Sequence, residues 1–336
     1  MPQFPYEQGW LGGDGAYSIP LNAGRILWLF GDSFASPKGL ASRKGSKLVA
    51  NTVAISTCRN HDWSIQYYFG KHRSPGSPQA FFDSDTNKVR FWPLDGFVFH
   101  SSLYVFILEV AATGTGTFAF KPIGAKLAKV SNPAAGPDKW NVRYRELLSD
   151  SQVVPGVSAV VATPYVYLYA VVSKGAPRTH QAILARIGLE NLDSPAAGIE
   201  YLDSASGWKR GLNERDAQII VGGVAAEFSV RYHPEIARWV MVQTDPGFPA
   251  SQIGVRTADR LQGPWSTFRP LYEIPEMRGA TARAERVFCY GAKQHAGLSS
   301  SLNSLSITYV CSSLSFERQI RDLALYRPRA IELHLR

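Results

Sequence analysis

The chain has 336 residues, 45% hydrophobic and 12% aromatic, with a formal charge of +9. This is too apolar for a disordered polymer and enough to bury a large core, as one large β domain or two ordinary ones. No apolar run approaches the ~20 residues that span a bilayer, and the 36 Lys and Arg are dispersed with no nucleic-acid module among them, so membrane-span and nucleic-acid functions are set aside. The start MPQFPYEQGW lacks the basic and apolar regions of a secretory leader. A secreted or periplasmic chain with its leader removed is the favoured expectation, with a cytoplasmic one as the alternative. Cys58, Cys289 and Cys311 are too few for a disulfide framework and lack metal-site spacing. Cys289 and Cys311 either pair across neighbouring strands or stay as buried thiols.

Residues 10–34, WLGGDGAYSIPLNAGRILWLFGDSF, read as a β-hairpin, with alternation over 16–19, a turn over 21–24 and an apolar β-prone run over 25–30. Asp14 and Asp32 stand near its open end. A two-residue loop at Asn22-Ala23 pairs position 14 with 31; a loop one residue longer pairs 14 with 32, and that slip turns a side chain to the other face. Directly opposed Cβ atoms lie ~4.5–5.5 Å apart. Carboxylates that near repel, which raises one pKa and creates an acid/base pair. The plain alternative is that Gly-Asp-Gly and Gly-Asp-Ser only shape turns.

Further strands are expected at 48–56 and 64–69, completing a first unit over about 10–70. A second unit, 90–135, holds 90–96, 97–99, 103–108, 118–120 and 127–130. The third, 155–205, holds 158–161, 165–170, 182–187 and an outer edge at 198–202. The fourth, 225–268, holds 226–232, 239–244, 253–257 and 263–266; the fifth, 285–330, holds 287–292, 305–311 and 324–329. Helical periodicity is confined to 143–148 and 318–323. Five such units give one all-β domain over 1–336: a five-bladed β-propeller of four-stranded antiparallel blades, with paired β-sandwiches as the runner-up.

In a propeller the first strands of the blades begin around one central channel, so residues at those starts converge. Asp14, Asp95, Ser158 and Glu227 occupy such positions, with His295 in a different strand context. Several carboxylates at one funnel suit glycoside hydrolysis, which needs an acid for the leaving oxygen, a base or nucleophile, and a group that tunes a pKa. Asp95, in WPLDG, has a turn as its alternative. Glu227 enters an apolar strand where a bare carboxylate is costly, and its alternative is a buried ion pair with Arg231 or Arg256. His295 sits in a polar stretch, where a hydrogen-bonding role competes with a site role. Trp10, Tyr17, Trp92, Tyr290 and Trp28 flank the acids and suit ring stacking, although propeller cores use the same residues, which is the preferred reading for mid-strand Trp28. Lys293, Arg178 and His180 suit sugar hydroxyls or an anionic group, against a solvated loop. No GxSxG elbow, HExxH, P-loop or Rossmann fingerprint is present. No cofactor is expected, and calcium is the natural ion should scattered carboxylates hold one.

The segments GWLGGDGAYSIPL with ILWLFGDSF, WPLDGFVF, AEFSVRYHP with VRTADRLQGPWS, and FCYGAKQHAGL followed by ALYRPR together resemble domain-of-unknown-function family 4185, part of which is described as glycoside hydrolase family 183. The resemblance spans nearly the whole chain, and the hairpin and SVRYHP are its more specific motifs. It implies a five-bladed furanosidase fold and an activity like that of the endo-D-arabinanases. On that resemblance Asp14 is the base or nucleophile, Asp95 and Glu227 the acid and the pKa-tuning group, and Asp32 a second-rank partner. The fifth-unit motif, AKxHP in the family, reads Ala292-Lys293-Gln294-His295-Ala296 here, a looser loop that lets the substrate class differ. The resulting expectation is a monomeric hydrolase of furanosidic, arabinan-like glycans. Its rivals are a carbohydrate-binding propeller and a small-molecule lyase or isomerase.

Overall fold

The computed structural model describes every residue except 37–41, 61, 71–76, 85, 87, 175–178, 279–285, 300, 302 and 335–336. Arg178 lies outside the described residues. The amino-terminal part forms β1 (Trp10–Gly13), β2 (Tyr17–Pro20), β3 (Arg25–Phe30), β4 (Ser33–Ala35), β5 (Lys47–Val49), β6 (Thr52–Arg59) and β7 (Asp62–Tyr68). These make two sheets, β2-β3-β6-β7 and a small β1-β4-β5.

The next sheet is a meander of β8 (Val89–Phe99), β9 (Ser102–Ala112), β10 (Phe120–Val130) and β11 (Val142–Ser149). It is followed by β12 (Val154–Ala162), β13 (Tyr165–Lys174), β14 (Thr179–Gly188), β15 (Ile199–Asp203) and β16 (Gly207–Arg210), with β17 (Ile219–Gly222) also paired to β14. A short helix, α1 (Pro195–Gly198), precedes β15. Then come β18 (Phe228–His233), β19 (Arg238–Thr244), β20 (Gln252–Ala258) and β21 (Arg269–Glu273), and last β22 (Val287–Gln294), β23 (Ser304–Ser313) and β24 (Arg329–His334), with α2 (Phe316–Arg321) between the last two.

The chain is all-β and propeller-like. First strands pack in succession, β2 on β8, β8 on β12, β12 on β18 and β18 on β22. The return from β22 to β2 is made by His295, which hydrogen-bonds Ser18 at 2.8 Å, and by Lys293, whose ammonium lies 4.3 Å from the centre of the Tyr17 ring. Apolar residues of facing sheets interdigitate as separate cores: Leu27, Phe106 and Leu168 belong to one, Tyr169 and Phe228 to a second, Val242 and Ile307 to a third. No described helix is long and apolar enough to cross a membrane.

Strand counts vary more than the expected four, from three in the last sheet to six in the β12–β17 sheet. The stretch expected to be helical at 143–148 is strand β11. A bulge there lets Leu147 point into the core while Glu146 and Leu148 pair with Lys126 and Ala125, so the period-2 pattern slips and imitates a helix. The closing strands lie a few residues beyond 263–266 and 324–329, at β21 and β24. The helix expected at 318–323 is present as α2. Cys289 and Cys311 are directly opposed on β22 and β23, with Cα atoms 4.0 Å apart, and form a disulfide; Cys58 is an exposed thiol.

The small amino-terminal sheet is sewn to the carboxy-terminal segment by Arg43, a fully buried cation. Its guanidinium donates to the carbonyls of Leu11 at 2.7 Å, Gln319 at 2.6 Å and Leu325 at 2.7 Å, and more weakly to that of Tyr326 at 3.4 Å. Carbonyl dipoles thus neutralise a buried charge that would otherwise be costly. Gly12, at φ +118°, lets β1 approach so near that a Cβ there would collide with the Tyr326 carbonyl.

Candidate active site

The hairpin adopts the longer-loop register. Tyr17 pairs with Leu29 and Pro20 with Ile26, around a turn at Asn22–Gly24 in which Ala23 takes φ 62°. Continued outward, this register sets Asp14 opposite Asp32; the Asp14 amide donates to the Asp32 carbonyl at 3.4 Å, and the Gly31 amide to the Asp14 carbonyl at 3.0 Å. A side chain at Gly31 would strike Asp14 Oδ1, so glycine leaves room for that carboxylate.

Asp14 Oδ2 accepts two phenol hydroxyls, from Tyr290 at 2.7 Å and Tyr326 at 3.2 Å. Burial, then the charges of Asp32 and Glu227, push its carboxyl up to about 7 despite those donors. Asp32 accepts from the Trp92 indole at 3.1 Å and lies 3.8 Å from Arg90. Burial raises it to about 6, against the pull of Arg90 and Trp92. Both phenols are raised well above their ordinary value, chiefly by burial, and so remain proton donors at neutral pH.

Tyr326 has φ 54°, a conformation that costs a bulky residue free energy and persists only where its surroundings fix it. Here its amide donates to Cys311 at 2.7 Å, its carbonyl faces Arg43, and its hydroxyl meets Asp14.

Glu227 stands just before β18, and Lys293 on β22 donates to its Oε2 at 2.6 Å and to the Gly291 carbonyl at 2.9 Å. The Lys293 side chain is 2% exposed against 24% for that of Glu227, so the cation is sealed beneath a residue that still meets solvent. Tyr17 lies under Lys293, its hydroxyl buried beside Glu227. Its pKa is raised well above normal, by burial first, then by the charges of Glu227 and Asp95, a hydrogen bond with Glu227 and the charge of Asp14, which places this phenol among the three acids.

Asp95 is held differently. Its Oδ2 accepts from Arg231 at 3.0 Å and from the Ala159 amide at 2.9 Å, and its Oδ1 from the Gly96 amide at 2.9 Å. Arg231 also reaches Ser158 at 3.1 Å, and Ser158 takes the Val230 amide at 2.9 Å. Asp95 and Ser158 therefore pin β8, β12 and β18 together, and at 2% exposure the Asp95 carboxylate has little surface to offer a substrate.

With the acids, phenols and cations placed, comparison with known proteins adds the family. The family described as domain of unknown function DUF5005 matches residues 3–334. The chain belongs to that family. No curated protein matches this DUF5005 chain by sequence. Its fold is similar to that of a candidate hydrolase from Bacteroides ovatus, at 17% identity and TM-score 0.75, over 97% of this chain and 86% of the other. It is also similar to a xylan β-1,4-xylosidase from Bacillus halodurans, at 11% identity and TM-score 0.52, over 93% of this chain and 51% of the other.

Among the residues singled out from the sequence of this DUF5005 chain, Asp14, Asp32, Glu227, Tyr17, Trp92, Tyr290 and Lys293 are linked by these contacts and charges. Two are corrected by burial. Trp10 is fully buried, stacked 4.5 Å from Tyr67 with its indole on Thr52, so it has no face for a ligand. His295 is 1% exposed rather than in a polar loop, and both ring nitrogens are taken, by Ser18 at 2.8 Å and Thr308 at 2.7 Å. Burial, then Lys293 and Arg231, hold its pKa well below normal, so the ring is neutral and joins β2 to β23. The counter-ion of Glu227 is Lys293, whereas Arg231 serves Asp95 and Arg256 binds the carbonyls of Gly223 and Ser266. His180 on β14 shares a hydrogen bond with Ser173 on β13. Among the described residues no group of three or more His, Cys, Asp or Glu is placed to hold a metal ion. Tyr326 is the residue at Asp14 to which sequence reading gave no role.

Proposed function

We propose that the chain is a glycoside hydrolase that works through Asp14 and Glu227. The observation that carries this reading is Asp14 itself, a carboxyl with a pKa pushed up to about 7 beside two further acids. Asp14 holds a proton near neutral pH on the oxygen that the phenols leave free, and delivers it to the glycosidic oxygen. Glu227, ion-paired to Lys293 through Oε2 and 24% exposed, acts either as the nucleophile on the anomeric carbon or as the base that deprotonates the water attacking it. Asp32 keeps Asp14 protonated by charge repulsion, and Tyr290 and Tyr326 orient it. Asp95 acts through Arg231 as a positioning residue. This order of roles departs from the one that the motif resemblance implies, because the Lys293 contact suits an anionic Glu227 better than a proton donor.

The fold is read as a five-bladed propeller spanning the whole chain, supported by the five successive first strands, with the β1-β4-β5 sheet as an addition to the blades. The likeness to the xylosidase supports a glycan substrate, and the motif resemblance to family 4185 supports furanosidic, arabinan-like linkages. Exported, monomeric action without a cofactor fits carboxylate chemistry on a polymer.

Reducing-end release from a panel of arabinans and xylans tests the reading. Wild type is expected to cleave at least one member, and Glu227→Gln to lose about 10²–10⁴-fold in kcat/KM. Binding without cleavage across the panel would instead favour a carbohydrate-binding protein.

A further inference from the structure

Phe118 is 56% exposed and Phe248 64% exposed, an unusual setting for two large apolar rings. They come from separate segments, the turn between β9 and β10 and the loop between β19 and β20, yet their centroids lie 5.6 Å apart. Both also pack on Phe288 at the start of β22, at 5.7 Å and 5.4 Å. Phe288 in turn stacks on Tyr290 at 5.4 Å with 21° between the planes, and Tyr290 is the phenol bonded to Asp14. A continuous file of rings thus runs from solvent to the candidate acid.

Its base is fixed. The Cys289–Cys311 disulfide and a bridge between Ala250 and Cys289 hold β22 and the Phe248 loop, and the Thr113 amide closes the Phe118 turn on the Ala119 carbonyl at 2.9 Å. Just past that turn, Phe120 at the start of β10, 36% exposed, packs 4.6 Å from Trp92, the indole bonded to Asp32. Phe120 thereby reaches the partner of Asp32 directly, and Phe118 the partner of Asp14 through Phe288.

We propose that Phe118 and Phe248, seated on the buried Phe288, form a stacking platform for a sugar ring of the glycan whose scissile bond lies at Asp14. This rests on the glycosidase reading for its position relative to the bond. An uncharged saccharide ring offers an apolar C–H face and a polar edge, which suits an exposed aromatic shelf that opens onto acids. Continuity with Asp14 through Tyr290 singles out a glycan over a second copy of the chain as occupant.

The test uses the full chain carrying Asp14→Asn, with arabinohexaose and xylohexaose as probes in calorimetric titration. Adding Phe118→Ala and Phe248→Ala is expected to weaken binding of at least one probe about tenfold or more, and Phe118→Trp with Phe248→Trp to restore it. The platform is overturned by affinities equal within about twofold, by absence of binding to both probes, or by sedimentation showing that the alanine changes dissolve a dimer. Cleavage by wild type is scored separately: platform-dependent binding without cleavage upholds the platform and removes the hydrolase reading.

Discussion

Asp14→Asn is expected to cut hydrolysis of natural glycans by about 10²–10⁴-fold while making the folded protein more stable at about pH 8. The stability gain follows from proton linkage. Asp14 titrates near 7 in the folded chain against an ordinary value of 3.8, so between those values the folded state binds more protons than the unfolded one. Stability therefore falls as pH rises through that window and levels off above it. Asparagine keeps an oxygen for Tyr290 and Tyr326 and removes the buried charge. With allowance for partial exposure and for coupling to Asp32 and Glu227, the gain is about 2 kcal/mol at about pH 8 and vanishes near about pH 4. Melting curves at the two pH values check it.

The leaving group separates the roles. Without its acid, an enzyme still cleaves an aryl glycoside whose phenol departs unaided, so Asp14→Asn should retain much of its activity on nitrophenyl arabinofuranoside. Equal loss on both substrates would make Asp14 the base or nucleophile, as the motif resemblance implies.

Asp95→Ala is expected to destabilise the chain by about 3–5 kcal/mol in urea unfolding. The change strips the Arg231 guanidinium of its carboxylate and leaves the Ala159 amide unsatisfied where three first strands meet. Asp95→Asn keeps a carbonyl oxygen and should cost less. A loss under about 1 kcal/mol for the alanine variant, with a displaced pH–rate profile for the asparagine one, would make Asp95 a pKa-tuning group instead.

Much of this was legible in the amino-acid order because hairpin physics is local. Alternation and turn residues placed Asp14 and Asp32 near each other; what they left open was the loop length, which depends on Ala23 adopting a left-handed conformation more usual for glycine. Long-range partners were the harder part. Glu227 takes its cation from another sheet, 66 residues onward, where the sequence suggested Arg231 or Arg256. Polar neighbours made His295 look exposed, yet hydroxyls from two strands satisfy it in the core. Trp10 adjoins the acid in sequence but turns inward onto Tyr67. Tyr326 offered only the ALYRPR motif, and its role depends on Arg43 fixing its carbonyl, a contact across nearly the whole chain.

The pH dependence of kcat/KM for glycan cleavage by the wild-type chain shows whether Asp14 is the proton donor, since it reports the ionisations of the free enzyme. Activity is expected to decline above about pH 7 as Asp14 gives up its proton, with that falling limb lost in Asp14→Asn. A rate that stays level or climbs between about pH 6 and about pH 9 would contradict it.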